Sequence, residues 1–306
     1  MRDVLRYVRE FFAVIDRRFL AACCLWMAVL ITLNYQLQLE RVWIAQLESR
    51  FQQGMALSLI YGSAFVVPYL LMIRFKWHPV FVSWDFALLL LIAPLLFALK
   101  VMIPNPLENL IAGDWGSYLT MVTVLPFKFL VVTIALLILY RWLPAQQNFF
   151  GVTLDGVVWR PYWQMLACML PLIAFASTQA DFLSAYPRLK QIAFMSLVTD
   201  NPWGYRLLYE LGYGVDFLTI ELFFRGFLVF AFIRYAGVAA ILPMATFYCS
   251  IHFGKPVLEC ISSFAGGLIL GVLAYRTRSI MGGLLVHLGI AWMMEVGGYL
   301  GNLRFG

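Results

Sequence analysis

A few ionisable side chains in the last third of the chain are spaced so that they can do acid–base chemistry. The string GYGVDFLTIELFFRGFLVFAF carries Glu221 and Arg225 four residues apart, hence on one face of a helix, where they can pair. FYCSIHFGKP supplies His252, and SIMGGLLVHLGIAWMMEVGGYL supplies His287 and Glu295. All three strings are apolar enough to lie in lipid. An ionisable group there costs about 2.5–3.5 kcal/mol even on a lenient insertion scale, so such groups turn toward a cavity or toward one another. A carboxylate with imidazoles can activate water and hold a developing oxyanion, which is what amide hydrolysis requires.

Depth supports a meeting of these groups. At about 1.5 Å per helical residue, counted from the basic inner ends of the helices, Glu221 lies ~20 Å in, His252 ~21 Å and His287 ~13 Å. A lone Glu–Arg pair or a lone histidine in a membrane helix is often only a structural contact. Two histidines and a Glu–Arg pair at overlapping depth favour a site. Glu259, seven residues after His252 and just beyond Lys255-Pro256, is a further candidate carboxylate, with Asp216 and Glu295 behind it. Two histidines and a glutamate are also a ligand set for zinc. No His-Glu-x-x-His spacing is present, so no cofactor is expected. The remaining histidine, His78, sits in a basic loop and reads as ordinary surface.

The elements that must position these groups follow from composition. Of 306 residues, 63% are apolar or aromatic and only 12% are charged. Apolar runs of bilayer length recur at about 19–38, 55–75, 80–103, 117–142, 162–179, 207–232, 238–254, 257–275 and 279–300. Runs of this length make an all-α, polytopic transmembrane bundle of eight or nine spans, since barrel strands need only about 10 alternating residues. The head MRDVLRYVREFFAVIDRR reads as a basic interfacial helix on an anionic leaflet, and its first span carries no cleavage signal. With the N-terminus in the cytoplasm, twelve basic residues fall on inner loops and eight on outer ones. The net charge of +6 therefore indicates membrane topology rather than nucleic-acid binding.

The simplest organisation is a basic segment over 1–18, membrane helices over 19–160, and a core over 161–306 that carries the polar site. The polar stretch 143–160 marks the division. Segment 180–206 ends in the turn signal TDNPWG and reads as an amphipathic or re-entrant piece. The five cysteines, Cys23, Cys24, Cys168, Cys249 and Cys260, lie in apolar runs without metal spacing and read as small core residues. Ser262, Gly266, Gly267 and Gly271 form a small-residue stripe suited to close helix contact.

The string Glu-x-x-x-Arg-Gly, a histidine near the end of the next span and a histidine in the last span resemble the CAAX-protease and bacteriocin-processing (CPBP, or Abi) family of intramembrane peptidases. The likeness covers about 205–300, and ELFFRG is its most specific string. Twenty-seven residues separate Arg225 from His252, and 35 separate the two histidines. The resemblance implies catalytic roles for Glu221, Arg225, His252 and His287, a peptide or membrane-protein substrate, and residence in the cytoplasmic membrane. It also exposes departures. Ile220 stands where the family has a first, water-activating glutamate, Tyr248 where it has phenylalanine, and Ala291 where it has Asn or Asp. Retention of Glu221, Arg225 and both histidines favours a peptidase, with Glu259 as a substitute carboxylate. The losses favour a scaffold or immunity-type binding protein that has kept the cavity without turnover.

Overall fold

The computed structural model describes residues 2–108, 110–143 and 148–305. Residues 144–147, within the polar stretch 143–160, lie outside the described residues. The architecture is all-helical, and among the described residues there is no strand. In chain order the helices are α1 (Arg2–Val14), α2 (Arg17–Leu37), α3 (Arg50–Phe75), α4 (Trp84–Met102), α5 (Gly113–Trp142), α6 (Arg160–Ala176) and α7 (Ala180–Ala185). They continue with α8 (Met195–Val198), α9 (Trp203–Ile220), α10 (Ile233–Ala236), α11 (Ile241–Ser250), α12 (Val257–Thr277) and α13 (Met281–Phe305). Two π-helical segments, Leu39–Ile44 and Glu221–Leu228, follow α2 and α9.

Seven helices among the described residues are long and apolar enough to cross a membrane, or eight if the bent pair Arg160–Ala176 and Ala180–Val198 counts as one span. The protein is an integral membrane protein. The sixth expected span and most of the seventh (238–254) fall within the 48-residue stretch Trp203–Ser250. The chain there passes through the π segment, α10 and a short 3-10 turn, and leaves helical geometry at Gly237 (φ 55°, ψ −144°). Between Arg160–Ala176 and Ala180–Val198, where an amphipathic or re-entrant piece is expected, the chain bends by 98°.

Helix boundaries follow local chemistry. Asp16 caps α2 by accepting the N–H groups of Arg18 and Phe19. Ser49 and Gln52 form a reciprocal capping box at the start of α3. Prolines 68, 94, 126 and 171 lie inside helices, which membrane helices tolerate where neighbours satisfy the freed carbonyls. His78 is half-buried rather than ordinary surface, because its Nε2 accepts the Asp16 N–H at 2.9 Å. Burial holds its pKa below the usual imidazole value, against the pull of Asp16, so the neutral acceptor form is favoured.

The structure divides into two units. The first comprises Met1–Met102, Leu139–Val157 and Leu222–Met281. Its centre is aromatic: Phe65, Phe86, Phe223, Phe224, Phe227, Phe232 and Phe247 are fully or almost fully buried, and their rings meet mostly edge to face. The amphipathic α1 buries Val4 and Phe11 and ties its Glu10 to Arg276 at 2.9 Å. Of the cysteines, Cys23, Cys249 and Cys260 are buried as expected, whereas Cys168 lies exposed and so does Cys24, which follows Cys23 at a helical position about 100° away.

The second unit comprises Ile103–Ile138, Val158–Glu221 and Gly282–Gly306. Tyr118, Val122, Ile192, Met195 and Tyr209 form a buried cluster in it. Glycines along α13 let α6 approach closely, as Leu166 does at Gly289 and Ile173 at Gly297.

Candidate functional site

Glu221 opens the π-helical segment ELFFRGFL at the end of α9. A π turn widens the helix locally and recurs at functional sites. Glu221 is fully buried, and its Oε1 lies 2.9 Å from Nδ1 of His287 on α13. His287 keeps 15% of its side chain exposed, so the carboxylate is the inner partner and the imidazole the outer one. The ring of Phe217, one turn earlier on α9, meets the His287 ring edge to face at 4.8 Å. A carboxylate that accepts from Nδ1 holds the proton of the imidazole on that nitrogen and fixes the ring's orientation.

Gly283 makes this contact sterically feasible. A Cβ there would sit 2.7 Å from Oε2 of Glu221, closer than real Cβ atoms approach any heavy atom. The carboxylate thus lies directly against the α13 backbone. Sequence reasoning passed over Gly283 and Phe217, although the doubled Gly282-Gly283 in an apolar helix is the kind of signal that marks close approach.

A second cluster lies in the first unit. Arg225 is fully buried, and its guanidinium carbon stands 4.0 Å from the centre of the Tyr248 ring on α11. A desolvated cation over an aromatic face is worth about 2 kcal/mol. Phe224 and His252 also meet that ring, the imidazole at 4.8 Å. His252 Nδ1 is 2.9 Å from the Tyr248 carbonyl, which can only accept, so Nδ1 carries a proton. Gly267 on α12 gives Tyr248 its place: a Cβ there would come within 2.8 Å of the ring.

Glu259 and Glu295 have polar partners of their own. Glu259, on the first turn of α12, pairs with Lys255 at 3.3 Å. Glu295 is buried and accepts the backbone N–H groups of Arg188 and Leu189 at 2.8 and 3.1 Å, anchoring the turn after α7. Asp216 is half-buried on α9. Ile220 and Ala291 are buried apolar positions. Among the described residues, no group of three or more His, Cys, Asp or Glu side chains is arranged to hold a metal ion.

Residues 202–293 match the model of a known family, described as type II CAAX prenyl endopeptidase Rce1-like. This agrees with the CPBP resemblance carried by ELFFRG and the two histidines. The match covers under a third of the 306-residue chain and includes Glu221, Arg225, Tyr248, His252, Glu259 and His287. No curated protein and no solved structure matches the chain.

Proposed function

We propose that this protein is an intramembrane endopeptidase of the CPBP type that hydrolyses a membrane-associated peptide or protein. The observation that carries this is the buried Glu221–His287 pair at 2.9 Å, inside the segment that matches the CAAX endopeptidase family. Nε2 of His287 takes a proton from water as the water oxygen adds to the scissile carbonyl carbon. It returns that proton to the amide nitrogen as the C–N bond breaks. Glu221 orients the ring and stabilises the imidazolium formed in between. The dyad thereby supplies the base that the family places at the position of Ile220. Arg225 and His252 are retained as site residues on the resemblance, and Glu259 as the reserve carboxylate. The proposal includes a cytoplasmic N-terminus in the cytoplasmic membrane and a core over 161–306.

A specific observation favours a second reading. Ile220 and Ala291 bury apolar groups where the family pattern has polar ones, which suits a binding protein without turnover.

The test uses full-length protein in liposomes with fluorogenic peptides ending in an S-prenylated or unmodified cysteine segment. Hydrolysis by wild type, reduced at least 100-fold in Glu221→Gln and in His287→Phe, is the expected result. Equal hydrolysis by all three proteins overturns the catalytic assignment. Peptide retention by wild type without cleavage supports the binding protein.

A further inference from the structure

The turn that carries His252 leaves backbone groups that its own helices cannot satisfy. Helix α11 ends at Ser250 and α12 begins at Val257, so the carbonyls of Phe253, Gly254 and Lys255 fall past the last turn of one helix and before the next. A backbone carbonyl left without a partner costs free energy wherever water does not reach it. All three are taken by side chains from one short segment more than two hundred residues earlier. Asn34 Nδ2 donates to the Phe253 carbonyl at 3.0 Å, Arg41 Nη2 to Gly254 at 3.2 Å, and the Tyr35 hydroxyl to Lys255 at 2.6 Å.

The segment is shaped for this. Asn34 is buried at the end of α2, and its Oδ1 accepts the Glu40 N–H at 3.2 Å. That second bond folds the chain back through Gln38, which adopts the left-handed conformation at φ 50°, ψ 42°, into the π segment bearing Arg41. Apolar contacts follow the same route: Met27, Leu30, Ile31 and Tyr35 pack with Cys249, Phe253 and Cys260 on either side of the turn. The His252 imidazole is oriented by its bond to the Tyr248 carbonyl, while its own N–H donates to the Cys249 carbonyl and its own carbonyl accepts the Lys255 N–H. Its ring is thus fixed by α11 at Tyr248 and its backbone by the turn, and the turn is held from α2.

We infer that Asn34, Tyr35 and Arg41 are positioning residues that hold the His252 turn in its working conformation, although they lie far outside the family-matched segment. The inference rests on the proposal that His252 serves the peptidase reaction.

The test uses full-length protein in liposomes and the variants Asn34→Asp and Tyr35→Phe. Asn34→Asp keeps the acceptor for Glu40 and loses the donor to Phe253, while Tyr35→Phe removes one hydroxyl and folds even where the first does not. Trp26→Phe is the control, since it removes a bond from α2 to the Ser63 carbonyl of α3 and touches no part of the turn. Two quantities are read: amide exchange at residues 251–255 against the middle of α11, and kcat and KM on the prenylated peptide. Exchange in the turn at least tenfold faster, with kcat lowered about tenfold at unchanged KM and Trp26→Phe like wild type, is the expected result. Unchanged exchange in both variants overturns the clamp. Faster exchange with unchanged kcat overturns the positioning role. If wild type cleaves nothing, the peptidase proposal falls, and the clamp is still decided by exchange and by the His252 imidazole resonances, which must shift in Asn34→Asp.

Discussion

Substituting Gly283 by alanine puts one methyl group against the carboxylate of the proposed dyad. The added Cβ would lie 2.7 Å from Oε2 of Glu221, about 0.7 Å short of the 3.4 Å at which ordinary contact begins. Glu221 is fully buried, so the displacement cannot be absorbed into solvent. A carboxylate pushed directly away would stretch the 2.9 Å bond to His287 to about 3.6 Å, where no hydrogen bond remains. Losing a hydrogen bond to a charged group is worth roughly 1.5–3 kcal/mol, and misplacing a catalytic group by about 1 Å costs on the order of 100-fold in rate. Both figures agree with a loss of about 2.7 kcal/mol in transition-state stabilisation. The expected outcome is a kcat about 100-fold lower on the prenylated peptide, with KM little changed and a lower Tm from overpacking. Gly266→Ala is the matched control: nothing lies within 4 Å of its added Cβ, so it should leave kcat alone. Wild-type turnover by Gly283→Ala, with the His287 imidazole resonances unmoved, would refute this account of the dyad.

Other perturbations probe the rest of the structure. Replacing Arg225 by methionine removes a buried cation 4.0 Å from the Tyr248 ring and should lower stability by about 2 kcal/mol, measured as the urea midpoint of the protein in micelles. Gln38→Gly relieves a left-handed backbone at φ 50° and should raise Tm by the equivalent of about 1 kcal/mol. Glu40, in the segment that follows α2, has its carboxyl pushed up to about 7, chiefly by burial and against the pull of Arg41 and the Gly254 N–H. The folded state therefore holds a proton that the unfolded chain releases near pH 4.5. The resulting stability is complete below that pH and is lost as pH rises through about 7. Thermal melts across that range should show wild type losing stability relative to Glu40→Gln. A flat difference between the two proteins would contradict the burial of that carboxyl.

Membrane residence, helical architecture and the candidate side chains were visible in the sequence, because they depend on local quantities. Twenty apolar residues in a row can satisfy their backbone only as a helix in lipid, and a glutamate or histidine inside such a run is conspicuous whatever its partners. Which partner each residue takes was decided by tertiary structure alone. Four-residue spacing allows Glu221 to pair with Arg225; the fold also brings Glu221 to His287 and sets Arg225 over the Tyr248 ring. Glu295, conspicuous in the sequence as an intramembrane acid, anchors a backbone turn instead. Gly283 and Asn34 drew no notice, because a missing Cβ or a single amide has meaning only against the atom it faces, here 62 residues away at Glu221 and 219 away at Phe253. Hydropathy is a sum along the chain, whereas a site is a set of distances across it, and only folding fixes those.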